Sequence, residues 1–454
     1  MVSTRREGPL PMTKSAAERE IERLMELHPK GFDLSLDRIR RLLARLDNPQ
    51  DRLPPVIHIA GTNGKGSTAA FSRALLEASG RSVHVHTSPH LVNWHERYRI
   101  GRVGGGRYVD DDAFASAIRR VGEANAGETI TVFEILTAVG FLLFSEHPAD
   151  AAIIEVGLGG RFDATNVIAS PAVTAIMPVS LDHEAYLGDR VELIAAEKAG
   201  IIKPGRPVIV GSQDSDGARE VIIATAERQR APYQVYGQDF LAYEENGRLV
   251  YQDGDGLMDL PPPRLPGRHQ YANAAAAIAA VKAAGFPLTH DDVERAMLNV
   301  EWPARMQRLA NGNLVDLAPP GSEIWLDGGH NPGASLVVAE AVTEQEERIP
   351  RPLFLICGMI STKDQTNFFR AFAGMARHVY TVPVSMSEAG VPNDQLAARA
   401  QTAGLSAEPV ASVENALKLL RDTWSAGEPP PRILICGSLY LAGEVLRLNG
   451  TPPT

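Results

Sequence analysis

The sequence predicts an α/β protein in two parts, each a parallel sheet with helices packed against it. Three observations predict it. Residues 56–60 are a short apolar run followed by a Gly-rich turn and an alanine- and leucine-rich segment ending at Gly80, which is the order strand, loop, helix. Short apolar runs at 150–154, 172–176 and 207–210 repeat that order and read as buried strands. After a change of composition at 299–305, a second series begins with runs at 324–326, 353–356 and 432–435. The division expected is a disordered polar tail over 1–20, a first domain over 21–302 and a smaller second domain over 303–454, the second within the usual size range of domains.

Composition narrows the classes of function. The chain has 454 residues, 44% hydrophobic and 22% charged, as in ordinary globular proteins. A net charge of −10 would repel phosphate backbones, so nucleic acid is not an expected partner. Two cysteines cannot build a disulfide framework, and the longest apolar run, near 135–144, is too short to span a bilayer. Residues 1–20 have no apolar core of the signal-peptide kind. A cytoplasmic protein is expected.

In chain order, residues 15–46 carry two apolar stripes, Ile21/Leu24/Met25/Leu27 and Ile39/Leu42/Leu43/Leu46, and read as two helices. Ser35 is the expected N-cap of the second. The turn after residue 60 reads Gly61-Thr62-Asn63-Gly64-Lys65-Gly66-Ser67. Glycines here let backbone N–H groups close on a phosphate, the helix N-terminus adds partial positive charge, and Lys65 adds a full one. The spacing departs from Walker A: position 59 is Ile, and Gly66 separates Lys65 from Ser67. A second strand over 82–86 runs into Ser88-Pro89-His90-Leu91 and Glu96-Arg97. His84, His86 and His90 lack a cysteine or carboxylate at ligand spacing, so structural histidines are expected rather than zinc ligands. Three aspartates open a helix over 110–123, and Thr131-Val132-Phe133-Glu134 opens an apolar one. Glu155 ends the strand over 150–154, where a carboxylate points into the crevice of a parallel sheet and suits magnesium on a nucleotide. Residues 238–265 read as small hairpins, and an Ala-rich helix follows Asn273. Cys357 and Cys436 read as small buried residues.

Several strings together resemble the Mur ligase superfamily, and within it the folylpolyglutamate synthase/dihydrofolate synthase branch: GTNGKGS at 61–67, SPHL at 88–91, EVGLGGRFDATN at 155–166, DHEAYLG at 182–188, EKAGI at 197–201, HQYANAAAAI at 269–278, and DGGHNP at 327–332. The resemblance covers roughly residues 30–447. It implies a P-loop ATPase domain of the Mur ligase type followed by a smaller Rossmann-like domain. It implies an ATP site of Thr62, Asn63, Gly64, Lys65, Gly66, Ser67, Asn273, Arg305 and Asp327. Magnesium, two ions, is implied on Ser67, Ser88, Glu155 and His183. Lys198 is implied to be carbamylated and catalytic with Lys65 and His330. Leu34, Ser35, Thr131, Phe133, Arg161 and Asp163 are implied at the dihydropteroate or folate, and His330 and Ser438 at L-glutamate. Departures are Ala304 where the family's PGR motif has its glycine, and Gly329 where DGAHNP has alanine.

The reaction implied is ATP-dependent addition of glutamate through an acyl phosphate. The 33–38 segment and Asp163 point to a bifunctional enzyme. Small-molecule substrates, no nucleic acid, no membrane and a monomer are expected. A peptidoglycan-building relative would need a UDP-sugar domain of about a hundred residues before the P-loop, a typical domain size.

Overall fold

A computed structural model describes residues 15–26, 35–425 and 427–454. The central sheet comprises β1 (Val56–Ala60), β2 (Val83–His86), β3 (Tyr98–Ile100), β4 (Arg107–Tyr108), β5 (Ala151–Glu155), β6 (Val173–Ile176), β7 (Val208–Val210) and β8 (Tyr233–Val235), in the order β4-β3-β2-β5-β1-β6-β7-β8. Strands β2, β5, β1, β6, β7 and β8 run parallel, and β3 and β4 are antiparallel additions at one edge. The central strands are buried on both faces, as their continuous apolar runs require. Side chains on β5 alternate between two cores: Ala151 and Ile153 meet the Lys65–Ala78 and His269–Ala283 helices, whereas Ala152 and Ile154 meet Asp111–Asn125 and Val132–Glu146.

The register levels the strand ends. Ile59 lies opposite Glu155 on one side and Ala175 on the other, and His86 opposite Ile154. The loops at 61–64, 87–91, 156–163 and 177–183 therefore emerge at one edge. Strands β9 (Phe240–Glu245), β10 (Arg248–Asp253) and β11 (Gly256–Leu260) form the expected antiparallel meander. The second large sheet comprises β12 (Gln307–Leu309), β13 (Glu323–Leu326), β14 (Leu353–Cys357), β15 (Ala376–Thr381), β16 (Ala407–Pro409) and β17 (Arg432–Cys436), in the order β12-β13-β17-β14-β15-β16. Only β12 is antiparallel there. Cys357 and Cys436 are register partners, free and buried. No helix among the described residues is long and apolar enough to cross a membrane.

Two expectations are corrected at the N-terminal end. The helix Ala16–Met25 is capped by a reciprocal pair, Glu18 N–H donating to Ser15 Oγ at 3.2 Å and Ser15 N–H to Glu18 Oε2 at 2.8 Å, and it buries Ala17, Ile21 and Leu24. Residues 15–20 are thus folded, not part of a disordered tail. The next helix is Asp37–Arg45, with Leu36 at its N-cap. Ser35 stands one residue earlier, its Oγ accepting from Asp37 N–H at 3.1 Å. Residues 1–14, Leu27 and Leu34 lie outside the described residues.

The histidines behave as structural groups. His84 stacks on Phe144 with ring centroids 4.6 Å apart, and its Nε2 pairs with His147 O at 3.0 Å. His86 stacks on Tyr98 and pairs with Arg97 O. Arg97 Nε donates to His90 Nδ1 at 2.9 Å. Burial holds the His86 ring down at about 4, so it is neutral at pH 7.

Candidate active site

A cleft enclosing roughly 1100 Å³ of empty space lies between the carboxyl edge of the central sheet and the second sheet. On one side it is lined by residues 61–67, and Gly64 caps the Lys65–Ala78 helix in the left-handed conformation at φ 80°. Gly64 and Gly66 are required by their neighbours. A Cβ on Gly64 would lie 2.6 Å from Asn273 Oδ1, and one on Gly66 would lie 2.7 Å from Trp302 Nε1. The extra glycine that breaks Walker A spacing is where Trp302 rests on the loop.

Two lysines share one acceptor. Lys65 Nζ donates to Gly61 O at 3.0 Å and to Thr62 O at 3.2 Å, and Lys198 Nζ donates to the same Gly61 O at 2.9 Å. Lys198 is buried and Lys65 partly buried, and desolvation lowers both pKa values. Lys198, desolvated and facing the Lys65 charge, falls to about 7. Its uncharged amine is therefore accessible near neutral pH.

Glu155 is buried at the end of β5 and accepts from Ser88 N–H at 3.3 Å. Burial pushes its pKa up even though Lys65 pulls it down. A buried carboxylate with one long hydrogen bond has lone pairs to offer a cation. Ser67, Ser88 and His183 line the same cleft. His183 begins the short Glu184–Leu187 helix at φ 54°, and burial lowers its pKa so that the imidazole is neutral and able to ligate.

The opposite wall comes from the second sheet. Asp327, just past β13, is buried, and its carboxylate accepts from Met306 N–H at 2.8 Å and Gly329 N–H at 2.6 Å. Those bonds clamp a strained turn: Ala304 has φ 55° and Met306 φ 41°, and Arg305 between them reaches the cleft. Ala304 replaces glycine at a residue of this motif whose left-handed backbone glycine would relieve. Gly329 is packed rather than loose, since a Cβ there would lie 2.8 Å from Asp327 Oδ1. His330 Nδ1 pairs with Gly328 O at 2.9 Å, and burial, followed by the Lys363 charge, takes its pKa to about 4.

Asp182 joins the two walls, and the sequence reading missed it. It accepts from Lys363 Nζ at 2.6 Å and from Asn331 Nδ2 at 3.2 Å, with His330 Nε2 at 3.9 Å. Burial alone would raise its pKa, but Lys363 and His183 pull it well below the usual carboxylate range. Asn331 also exchanges hydrogen bonds with Asn63 at 3.1 and 3.3 Å. The only sequence signals were that Asp182 precedes His183 and that Lys363 follows a strand end.

The structure brings Thr62, Asn63, Gly64, Lys65, Gly66, Ser67, Ser88, Glu155, His183, Lys198, Asn273, Arg305, Asp327 and His330 to this cleft. Other expected site residues lie outside the residues lining this cleft and make internal contacts. Asp163 is buried and accepts from Gly157, Leu158 and Thr165 N–H groups and from Thr165 Oγ1, which fixes the 157–165 loop. Arg161 is half-exposed and points toward Glu197 at 3.7 Å. Thr131 caps Val132–Glu146 in a reciprocal pair with Glu134. Ser438 caps Leu439–Asn449 by accepting from Tyr440 N–H. Phe133 packs under the loop, and a Cβ on Gly157 would lie 2.4 Å from its ring.

Comparison with known proteins decides the family. Residues 59–281 match the Mur ligase middle domain. The chain is 33% identical over 428 residues to the folylpolyglutamate synthase of Lacticaseibacillus casei, covering 90% of this chain and 92% of that protein. It belongs to the folylpolyglutamate synthase/dihydrofolate synthase family. The fold agrees. The Escherichia coli protein FolC in complex with DHPP and ADP superimposes with a TM-score of 0.83 at 29% identity, covering 96% of this chain and 99% of that one. The bifunctional folylpolyglutamate synthase/dihydrofolate synthase of Yersinia pestis, complexed with AMPPNP and a Mn ion, gives 0.82 at 28% identity, covering 96% and 99%.

Proposed function

We propose that this chain joins L-glutamate to a pterin-bearing acid, both dihydropteroate and the glutamyl tail of folates, at the expense of ATP. The observation that carries the reading is the single cleft in which Lys65, Glu155 and Lys198 from one wall face Arg305, Asp327 and His330 from the other. The Gly-rich loop and the helix it caps cradle the triphosphate, with Asn273 and Asp327 at the nucleoside end. An oxygen of the acid's carboxylate attacks the γ-phosphorus and ADP leaves, giving an acyl phosphate. The glutamate amine attacks the acyl carbon, phosphate departs and the amine loses its proton. Lys65 and Arg305 offset the negative charge that gathers on the transferred phosphoryl group. His330, neutral at pH 7, accepts a hydrogen bond from the incoming amine.

Glu155, His183, Ser67 and Ser88 would hold magnesium; bound there, it neutralises phosphate charge and orients the γ-phosphoryl group. The donor set fits, because Glu155 is a buried carboxylate at the cleft that accepts one long hydrogen bond, from Ser88 N–H. We further read Lys198 as the carbamylation site: its uncharged amine attacks carbon dioxide, forms an N–C bond and releases a proton, leaving an anion that can serve a second ion. Closure of the two walls, through the Asp182–Lys363 and Asn63–Asn331 contacts, excludes water from the acyl phosphate.

The test is phosphate release by purified protein with MgATP and dihydropteroate, tetrahydrofolate or a UDP-muramyl acid, each with and without L-glutamate. Release that requires both a pterin acid and glutamate is expected. Release independent of the amino acid, or only with the UDP-muramyl acid, contradicts the assignment.

A further inference from the structure

Beside the cleft lies a second cavity of about 830 Å³ of empty space that no step above uses. It contains Arg73, Arg99, Tyr108 and Trp302, and the segment Thr451–Thr454 closes part of it. A smaller void connects the two, sharing Tyr108 and Trp302 with this cavity and Ser88, Glu155 and Arg305 with the cleft. The sequence builds it by alternation. On β3, Tyr98 and Ile100 turn into the helical core, so Arg99 between them faces the other side of the sheet, toward Arg73 on the Lys65–Ala78 helix.

The cavity is lined by two arginines, Arg73 and Arg99, and two glutamates, Glu96 and Glu301, and the arginines are incompletely hydrogen-bonded. Arg99 Nε is buried without a hydrogen-bond partner, and its nearest carboxylate, Glu77 Oε1, is 3.9 Å away. Arg73 Nη1 is 3.6 Å from Glu77 Oε2, and its Nη2 donates to Glu301 O at 3.2 Å. Glu77 itself also accepts from Gly106 N–H at 2.9 Å. The other acids nearby are committed. Glu96 accepts from the Leu91, Val92 and Asn93 N–H groups, and Glu301 Oε1 pairs with Arg264 at 2.5 Å. Two guanidinium groups thus share one carboxylate at long range, beside an apolar wall of Trp302 and Pro303. Planar forks next to apolar surface suit a carboxylate on a short methylene stem.

We propose that this side cavity is a carboxylate subsite in which Arg99 and Arg73 bind a glutamyl carboxylate that does not itself react. The inference rests on the function proposed above. Such a carboxylate has two sources: the incoming amino acid, whose amine alone reacts, and the α-carboxylates of a glutamyl tail already on the acid.

Steady-state kinetics of Arg99→Gln distinguish them. Loss of a charge-assisted fork raises the Michaelis constant of the ligand it holds by about tenfold or more, leaving kcat and the KM for ATP within about twofold. A rise for L-glutamate assigns the subsite to the amino acid. A rise confined to a triglutamylated acid, with the monoglutamate unchanged, assigns it to the tail. Arg99→Lys should recover part of either effect, and competitive inhibition by glutarate should weaken in parallel. Unchanged constants for both substrates in Arg99→Gln and Arg73→Gln overturn the proposal. If Arg99→Gln does not fold, Arg99→Lys and Arg73→Gln give the same reading. Wild-type protein inactive with every acid and glutamate would defeat the function itself, whereas an active wild type with unaltered variants defeats only the subsite.

Discussion

Lys65→Ala lowers turnover by about a hundredfold to a thousandfold, the usual cost of removing one preorganised charge-stabilising donor, while the protein remains folded. The fold survives because burial already penalises the Lys65 charge and the side chain makes only two hydrogen bonds, both to carbonyls of its own loop. The Gly64 cap, the Trp302 contact with Gly66 and the packing of the Lys65–Ala78 helix stay in place. Removing the neighbouring charge also lets the Lys198 pKa rise, since Lys65 is its second depressing influence after burial. Phosphate release measured beside a thermal melt checks both halves. Residual activity above about a tenth, with Lys65 absent, contradicts its role at the transferred phosphoryl group.

Lys198→Ala abolishes turnover to a similar degree, and short carboxylic acids such as acetate restore part of it. The rescue follows from charge: a carbamate is an anion, so the cavity left by the variant should accept an anion. The same chemistry fixes a pH dependence in the wild type. Carbon dioxide reacts only with the uncharged amine, whose fraction rises as pH rises through the depressed value of about 7, far below the 10.5 of a free lysine. Protein stripped of carbon dioxide should therefore be reactivated by bicarbonate readily at pH 8 and poorly at pH 6. Rescue by added amines instead of acids would show that Lys198 acts as a cation.

The parts of this molecule that depend on neighbouring residues were legible in the sequence, and those that depend on distant ones were not. The Gly61–Ser67 turn announces itself because its glycines, its lysine and the following helix are contiguous. The strands of both sheets were visible as buried apolar runs, and Glu155 was found because a parallel strand delivers its last residue to the crevice. Asp182 and Lys363 escaped notice because their ion pair is made between elements on opposite walls. Trp302 resting on Gly66 is likewise invisible until the chain closes on itself. Thr131, Asp163 and Ser438 show how one residue type can serve two uses. Each carries a side chain that can hold a ligand or cap a backbone, and each spends it on a helix start or a loop. Residue type alone cannot separate those uses. Gly66, a departure in spacing, and Ala304, one of the departures in motif, are opposite cases: the first relieves a contact with Trp302, and the second tolerates a left-handed backbone that Asp327 holds through Met306.

The most direct test of carboxylate activation follows an oxygen atom. A pterin acid with both carboxylate oxygens replaced by oxygen-18 is turned over with MgATP and L-glutamate, and the released phosphate is analysed by mass spectrometry. An acyl phosphate requires one labelled oxygen in every phosphate released, with the other retained in the amide. Phosphate carrying no label, in step with amide formation, would show that the carboxyl group is never phosphorylated and would contradict the account.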